Sequence, residues 1–203
     1  MLTELVAAAG PDVLLAWAMR LGLLALLVFV CMTDLRARRI PNRAVVAGFL
    51  AALAWHALAP AGAGLFDRDF PGALGLTASL AGALAAFAGF LLLHLARAMG
   101  AGDVKLMAML GAFFGLPMLP ALMIAVFLTG GVLVALRLFD GARRRAVLVN
   151  LRVILFGRMA ALAGGAGPQF DPRTDSADRL PFALAISGGA LATAVLQLSG
   201  VIA

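Results

Sequence analysis

The sequence contains no tyrosine, one cysteine and few charged residues, which make up 13% of its 203 positions. Apolar residues make up 64%, whereas a soluble domain is usually about 45–50% apolar and about 25% charged. A soluble protein of this length has no interior large enough for so many apolar side chains. The composition therefore excludes a soluble globular enzyme, and it equally excludes a disordered chain.

The scarcity of cysteine excludes two further kinds of site. Cys31 has no partner for an internal disulfide, and the sequence offers no Cys/His cluster for a structural zinc ion. Because Cys31 lies inside an apolar run, we expect it to pack as a small hydrophobic side chain.

Long apolar runs account for most of the chain. A transmembrane helix needs roughly 20 mostly apolar residues, and these runs lack the alternation typical of barrel strands. We therefore predict an all-α, polytopic membrane helix bundle that forms a single domain over 1–203. The six predicted spans are 13–33, 44–60, 73–96, 104–118, 119–136 and 180–203.

Three local features refine this prediction. Gly111 and Gly115 have the GxxxG spacing that lets helix backbones approach closely in lipid. Pro117 and Pro120 predict a tight turn between the fourth and fifth spans. The apolar segment 146–157 is too short to span, so we expect an interfacial helix there.

Basic residues are distributed unequally between the loops. Of the 16 Lys and Arg residues, fourteen lie in the loops around 34–43, 97–105 and 137–179, Arg68 lies in a loop on the other side, and Arg20 lies within the first span. This asymmetry predicts that the basic loops are cytoplasmic and that both termini face outward. It also explains the net charge of +6 without nucleic acid as a partner, and it favours contacts of these arginines with anionic membrane lipids.

Two acidic residues stand apart from the eight that we interpret as solvated surface charges. Asp34 and Asp103 lie at the predicted cytoplasmic boundary of the membrane, where holding a charged carboxylate is costly and indicates function. The alternative is structural: Asp34 pairs with Arg36 or Arg38, and Asp103 pairs with Arg97 or caps the fourth helix.

Two glycines, Gly100 and Gly102, precede Asp103. Glycine adopts backbone angles closed to other residues and allows close approach of another chain, so an extended substrate could pair with this stretch. A simple helix–helix turn is the alternative.

These segments resemble motifs of a known family. Residues 34–42 (DLRARRIPN) resemble the first-aspartate motif of prepilin peptidases, and 100–106 (GAGDVKL) resemble their GxGD motif. Residues 180–186 (LPFALAI) are similar to a further segment common in that family. Presenilin-like peptidases also use GxGD, but this chain lacks a tyrosine before the first aspartate.

The resemblance implies an aspartic endopeptidase of the bacterial inner membrane, with Asp34 and Asp103 as the catalytic pair. Its substrate would be a type IV prepilin or pseudopilin with an N-terminal apolar helix, whose short basic leader is removed at the cytoplasmic face. Neither a metal nor another cofactor is implied. Larger members carry paired cysteines in an N-terminal cytoplasmic loop and also methylate their product. Because this chain has a single cysteine and lacks that loop, we expect a short form, similar to those of tight-adherence (Flp-type) pili, without N-methyltransferase activity.

The expected mechanism uses two close carboxylates that share one proton. One takes a proton from the attacking water, and the other donates a hydrogen bond to the developing oxyanion. Residues expected to bind substrate or shape this site are Gly100, Gly102, Lys105, Arg36, Pro41 and Asn42.

Several roles stay open from the sequence. Lys105 either reaches lipid phosphate or touches substrate, and Arg36 either orients Asp34 or contacts lipid. We expect His56 and His94 to be hydrogen-bonded structural residues, and Arg20 needs a partner that the sequence does not name.

Two other classes of function compete with the peptidase. A small proton- or cation-coupled transporter would use the two aspartates as ion sites near the bilayer midplane. A non-catalytic assembly protein of a pilus or secretion complex would tolerate loss of both carboxylates.

Overall fold

The computed structural model describes residues 11–139 and 181–202, together with single and paired positions between 141 and 159. The predicted interfacial helix at 146–157 lies largely outside the described residues. The long helices of the described residues are α1 (Pro11–Ala37), α2 (Asn42–Leu58), α3 (Leu76–Leu95), α4 (Ala101–Leu138) and α5 (Phe182–Leu198). Within the described residues the only β-type pairing is one isolated bridge between Ala61 and Ala73, so the all-α prediction is confirmed there.

The helices are apolar on their outer as well as their inner faces. Leu50, Leu84 and Leu128 are each more than half exposed on the bundle surface, as expected of helices that face lipid. In the part of the chain that the structure describes, α1, α3 and α4 are long and apolar enough to cross a membrane. The other two, α2 and α5, are apolar but have 17 residues each.

The fourth and fifth predicted spans both fall within α4, which is broken at Gly115. Gly115 has φ 70° and ψ 175°, a conformation that glycine adopts without steric cost. The expectation that Pro117 and Pro120 form the turn is wrong in detail. Proline fits the first turn of a helix, where its missing N–H has no intrahelical partner, so the break falls at the preceding glycine.

The first half of α4 runs antiparallel to α3. Gly111 packs against Gly82 and Ala86, whereas Gly115 packs against Gly82 and lies near the earlier Ala78. From Gly111 to Gly115 the residue numbers increase along α4, while those of their contacts on α3 decrease. The close backbone approach predicted from the GxxxG spacing is thereby confirmed, because Gly82 lies against both glycines.

The second half of α4 runs in the same direction as α3. Met123 reaches Gly89, and the ring of Phe127 stacks on Phe90 with 5.9 Å between centroids. Residue numbers thus increase together along α3 and the second half of α4, whereas they run in opposite directions for the first half. The chain therefore reverses direction at Gly115.

The last helix, α5, packs antiparallel to the second half of α4. Gly189 lies against Val126, and Ala185 lies near Gly130. As a result, the end of α1 and the starts of α2, α4 and α5 gather at one end of the bundle, which we call the site end. The loop 59–75 lies at the opposite end.

Two side chains bind two of the backbone carbonyls that the break in α4 leaves without helical partners. The carbonyl of Phe113 would pair with the N–H of residue 117, but proline has none. His56 Nε2 lies 3.2 Å from that carbonyl oxygen, and its Nδ1 accepts the N–H of Leu74 at 3.1 Å. Since Nδ1 accepts, Nε2 carries the proton and donates. The structural role expected of His56 is therefore confirmed.

Ser79, on α3, donates a hydrogen bond to the neighbouring carbonyl of α4. Its Oγ is fully buried and donates to the oxygen of Ala112 at 2.9 Å. In lipid every backbone polar group needs an internal partner, so His56 and Ser79 make the break in α4 possible.

Arg20 finds its partner in the loop at the opposite end. Its Nε donates to the carbonyl of Leu65 at 2.8 Å, and its Nη2 donates to the carbonyl of Asp67 at 3.2 Å. The guanidinium also lies 4.8 Å from the centroid of the Trp17 ring, a cation–π arrangement. The two hydrogen bonds of Arg20 link α1 to the loop 59–75.

We expect Ser79→Ala to lower the free energy of unfolding by about 1–3 kcal/mol, because it leaves the Ala112 carbonyl buried without a donor. Denaturant unfolding in detergent micelles measures this difference. Ser199→Ala is the matched control, since it removes an exposed hydroxyl that also donates to a backbone carbonyl. Equal losses in the two variants would contradict this account of the break.

Candidate functional site

A cavity of about 370 Å³ lies at the site end, between the α1–α2 connection and the start of α4. Both sequence motifs contribute to its walls. Its lining residues are Asp34, Arg38, Arg39, Ile40, Asn42, Gly100, Ala101, Gly102 and Asp103. The structure thus brings together two segments that are separated by two whole helices in the sequence.

Asp34 lies in the last turn of α1 and is 9% exposed. Its backbone carbonyl accepts the N–H of Arg38 at 2.9 Å, and Arg38 has a positive φ of 52°. This left-handed residue ends the helix one turn after the aspartate. The Arg38 side chain also attracts the Asp34 carboxylate electrostatically, as one of the structural alternatives anticipated.

The Asp34 carboxylate also contacts the last helix. It takes part in a hydrogen bond with the backbone of Ala183, in the first turn of α5. Free N–H groups and the helix dipole at such a terminus favour an anion. Cys31 lies one turn earlier on α1, with Sγ 3.6 Å from the carbonyl oxygen of Ala183. The helices α1 and α5 therefore meet at Asp34.

Asp103 lies in the first turn of α4, where its Oδ2 accepts the N–H of Gly100 at 3.1 Å. The helix-capping interpretation of this residue is confirmed. The cap does not remove Asp103 from the cavity, since the residue lines it and interacts electrostatically with Asp34. Asp103 therefore caps α4 and also lines the cavity that Asp34 lines.

The two glycines of the second motif provide space rather than unusual backbone angles. Gly100 has an ordinary φ of −76°, but a Cβ at this position would lie 3.1 Å from Asp103 Oδ2. Gly102 is helical, and a Cβ there would lie 3.2 Å from the Cβ of Ile40. The expectation of special backbone angles is wrong. The space at the two glycines is taken up by Asp103 and Ile40 of the same chain, and the pairing of an extended substrate with this stretch stays a prediction.

Lys105 and Asn42 meet beside the cavity. Lys105 Nζ donates to Asn42 Oδ1 at 3.1 Å, so the side chain reaches across to the start of α2. Pro41 is the N-cap residue of α2, and Asn42 is its first residue. Arg36 lies exposed in the last turn of α1 and does not line the cavity.

His94 supports the loop that carries the second motif. Its Nδ1 lies 2.9 Å from the carbonyl oxygen of Met99, the residue before Gly100. Because a carbonyl only accepts, Nδ1 carries the proton. The expected structural role of His94 is confirmed.

Metal chemistry has few ligands available near this cavity. Within the described ranges, no group of three or more His, Cys, Asp or Glu side chains could hold a metal ion. The chemistry that the cavity does offer is that of two carboxyl groups in its lining.

Comparison with known proteins is informative at the level of the family. The model of the type IV leader peptidase family matches residues 21–135, more than half of the chain, and the match includes both aspartates. The chain belongs to the type IV leader peptidase family. Membership implies a peptidase and favours that class over a transporter or an assembly protein. Searches of curated proteins and of solved structures gave no match.

Sequence reasoning gave no role to several residues of this leader peptidase that contact the site. Arg39, Ile40 and Ala101 line the cavity, and Ala183 contacts Asp34 from outside the matched region. The resemblance of 180–186 to a family segment was the one signal for Ala183.

We expect Gly102→Val to lower leader peptidase activity about ten- to hundredfold, because displacement of a catalytic segment by about 1 Å has effects of this size. The added side chain would push Ile40 and the segment after Asp34 away from α4. Initial rates of leader cleavage measure the loss. Gly131→Val is the control, since Gly131 faces open space, and equal loss in both variants would contradict this role for Gly102.

Proposed function

We propose that this chain is an intramembrane aspartic endopeptidase that removes the basic leader from a type IV prepilin or pseudopilin. The observation that carries the proposal is that Asp34 and Asp103, from separate helices, line one cavity and interact electrostatically. Membership in the leader peptidase family supplies the class of reaction. We include in the proposal that the chain does not methylate the new N-terminus.

The chemistry follows from the proximity of two carboxyl groups. Two such groups do not both ionise readily, so the pair holds one proton between them. The ionised member takes a proton from water, which attacks the scissile carbonyl, while the protonated member donates a hydrogen bond to the oxyanion. The pair titrates as a unit, so neither residue is assigned permanently as acid or base.

We further propose six membrane-crossing segments with the site at the cytoplasmic face of the inner membrane. The reversal of α4 at Gly115 supports the number, since its two halves pack in opposite directions along α3. The basic residues support the orientation, since the site end carries Arg36, Arg38, Arg39, Arg43 and Lys105.

A substrate with an apolar helix needs a place beside the cavity. A groove of about 440 Å³ lies between α1 and α2, with Phe113 of α4 among its walls. Small residues form much of it, which favours close packing of another helix. The other lining residues are Leu15, Ala18, Met19, Gly22, Leu23, Leu26, Ala47, Gly48 and Ala51.

The position of this groove relative to Asp34 supports the substrate helix as its occupant. Leu26 lies at the end of the groove nearest the cavity. Thr33 lies seven residues later, two turns along the same face of α1, and directly precedes Asp34. A helix seated in the groove and continued by two turns would therefore deliver its cytoplasmic end to the cavity.

We expect Asp34→Asn and Asp103→Asn each to abolish leader removal, because either change leaves one ionisable carboxyl where the mechanism needs two. The measurement is the intact mass of a candidate prepilin co-expressed in cells that lack other such peptidases. A product heavier by one methyl group would contradict the absence of methyltransferase activity.

Asp67→Asn is the control for this pair of variants, since Asp67 lies in the loop at the opposite end. Cleavage by both aspartate variants at normal expression would reject the two-aspartate mechanism. Failure of the wild type across several prepilin types would reject the proposed substrate class.

We expect Gly22→Leu to raise KM for the prepilin about tenfold or more with little change in kcat, because the new side chain fills the groove. A Cβ at Gly22 meets no atom within 4 Å, so the protein itself accommodates the change. Gly131→Leu is the control, since that position is equally open. An unchanged KM would contradict the proposal that the substrate helix occupies the groove.

A further inference from the structure

The segments that carry the two aspartates touch at two places beside the cavity. Gly102 lies against Ile40, and Lys105 donates a hydrogen bond to Asn42. Each contact joins the α1–α2 connection or the start of α2 to the first turns of α4. Together they define how far apart the two walls of the cavity stand.

In the Lys105–Asn42 contact, the Asn42 side chain binds another helix rather than its own. Asparagine near a helix start commonly caps its own helix, but α2 has no side-chain cap and Asn42 Oδ1 receives Lys105 instead. Lys105 follows Asp103 by two residues, which directs it to a different helix face. Its long stem nevertheless returns to a residue that lines the cavity.

The two residues are exposed, so this hydrogen bond adds little to global stability. Its effect is instead on geometry, because it links the start of α2 to the turn that carries Asp103. Two carboxyls that must share a proton and one water tolerate little change in separation.

We propose that Lys105 is a positioning residue, which acts through Asn42 to hold the Asp103 turn at a working distance from Asp34. The proposal rests on the proposed function, since it concerns the geometry of the same two aspartates. It differs from a role in lipid anchoring or in substrate binding, and each role has its own kinetic signature.

The kinetic test compares Lys105→Met, Lys105→Arg and Asn42→Ala on a purified prepilin in proteoliposomes. We expect Lys105→Met and Asn42→Ala each to lower kcat about tenfold while KM stays within about twofold. Lys105→Arg keeps a donor and restores most of kcat. The Lys105→Met/Asn42→Ala double variant is no slower than the slower single variant, because both remove one interaction.

Arg43→Met is the matched control, since Arg43 is an exposed cation beside Asn42 that does not line the cavity. An equal fall in kcat for Arg43→Met would assign the effect to lost charge and overturn the proposal. A rise in KM alone for Lys105→Met would assign Lys105 to substrate binding, and unchanged kinetics would leave lipid anchoring. Both results overturn positioning.

A second measurement needs no activity. In a Cys31→Ala background, Ile40→Cys and Gly102→Cys place two thiols where the Cβ separation is 3.2 Å, close to the usual 3.5–4.5 Å of a disulfide. We expect rapid oxidation to a disulfide, and oxidation slowed several-fold when Lys105→Met is added. An unchanged rate overturns the proposal.

The two measurements separate the possible failures. If the wild type cleaves no prepilin, the proposed function fails, yet the rate of disulfide formation still shows whether Lys105 holds the two segments together. If the wild type cleaves and Lys105→Met retains full kcat, the positioning role alone fails.

Discussion

The fold depends on giving donors to backbone carbonyls that the break in α4 leaves without helical partners inside an apolar bundle. The break at Gly115 leaves the Phe113 carbonyl without its helical partner, since residue 117 is proline. His56 and Ser79 reach in from α2 and α3 to bind the carbonyls of Phe113 and Ala112. Because these donors come from two neighbouring helices, the reversal of α4 and the packing of α2 and α3 around it form one arrangement.

Whereas the break in α4 depends on added side-chain donors, the site depends on glycines that lack a side chain. Gly100 leaves room for the Asp103 carboxylate, and Gly102 leaves room for Ile40. The aspartates themselves lie at helix ends, where each has a backbone contact: Asp103 with Gly100, and Asp34 with Ala183. Helix termini offer the unpaired N–H groups that an acidic group requires in an apolar bundle. The same positions keep both carboxyls at one end of the bundle.

Much of this organisation could be predicted from the sequence, because it depends on local patterns. Apolar runs predicted the helices, and motif spacing directed attention to Asp34 and Asp103. The contacts of long side chains could not be predicted. Nothing local tells which carbonyl Arg20 will bind, nor that Lys105 will return to Asn42. The turn was misplaced for a related reason: proline marks a helix start as readily as a turn, and the neighbouring packing selects Gly115.

The contact between Asp34 and Ala183 has a consequence for biogenesis. It joins α1 to α5, so the surroundings of Asp34 are complete only after α5 has entered the bundle. Both aspartates emerge from the ribosome well before residue 183. A nascent chain therefore holds both acidic groups before it holds the helix terminus that contacts Asp34, and the order of synthesis delays completion of the site until α5 has been inserted.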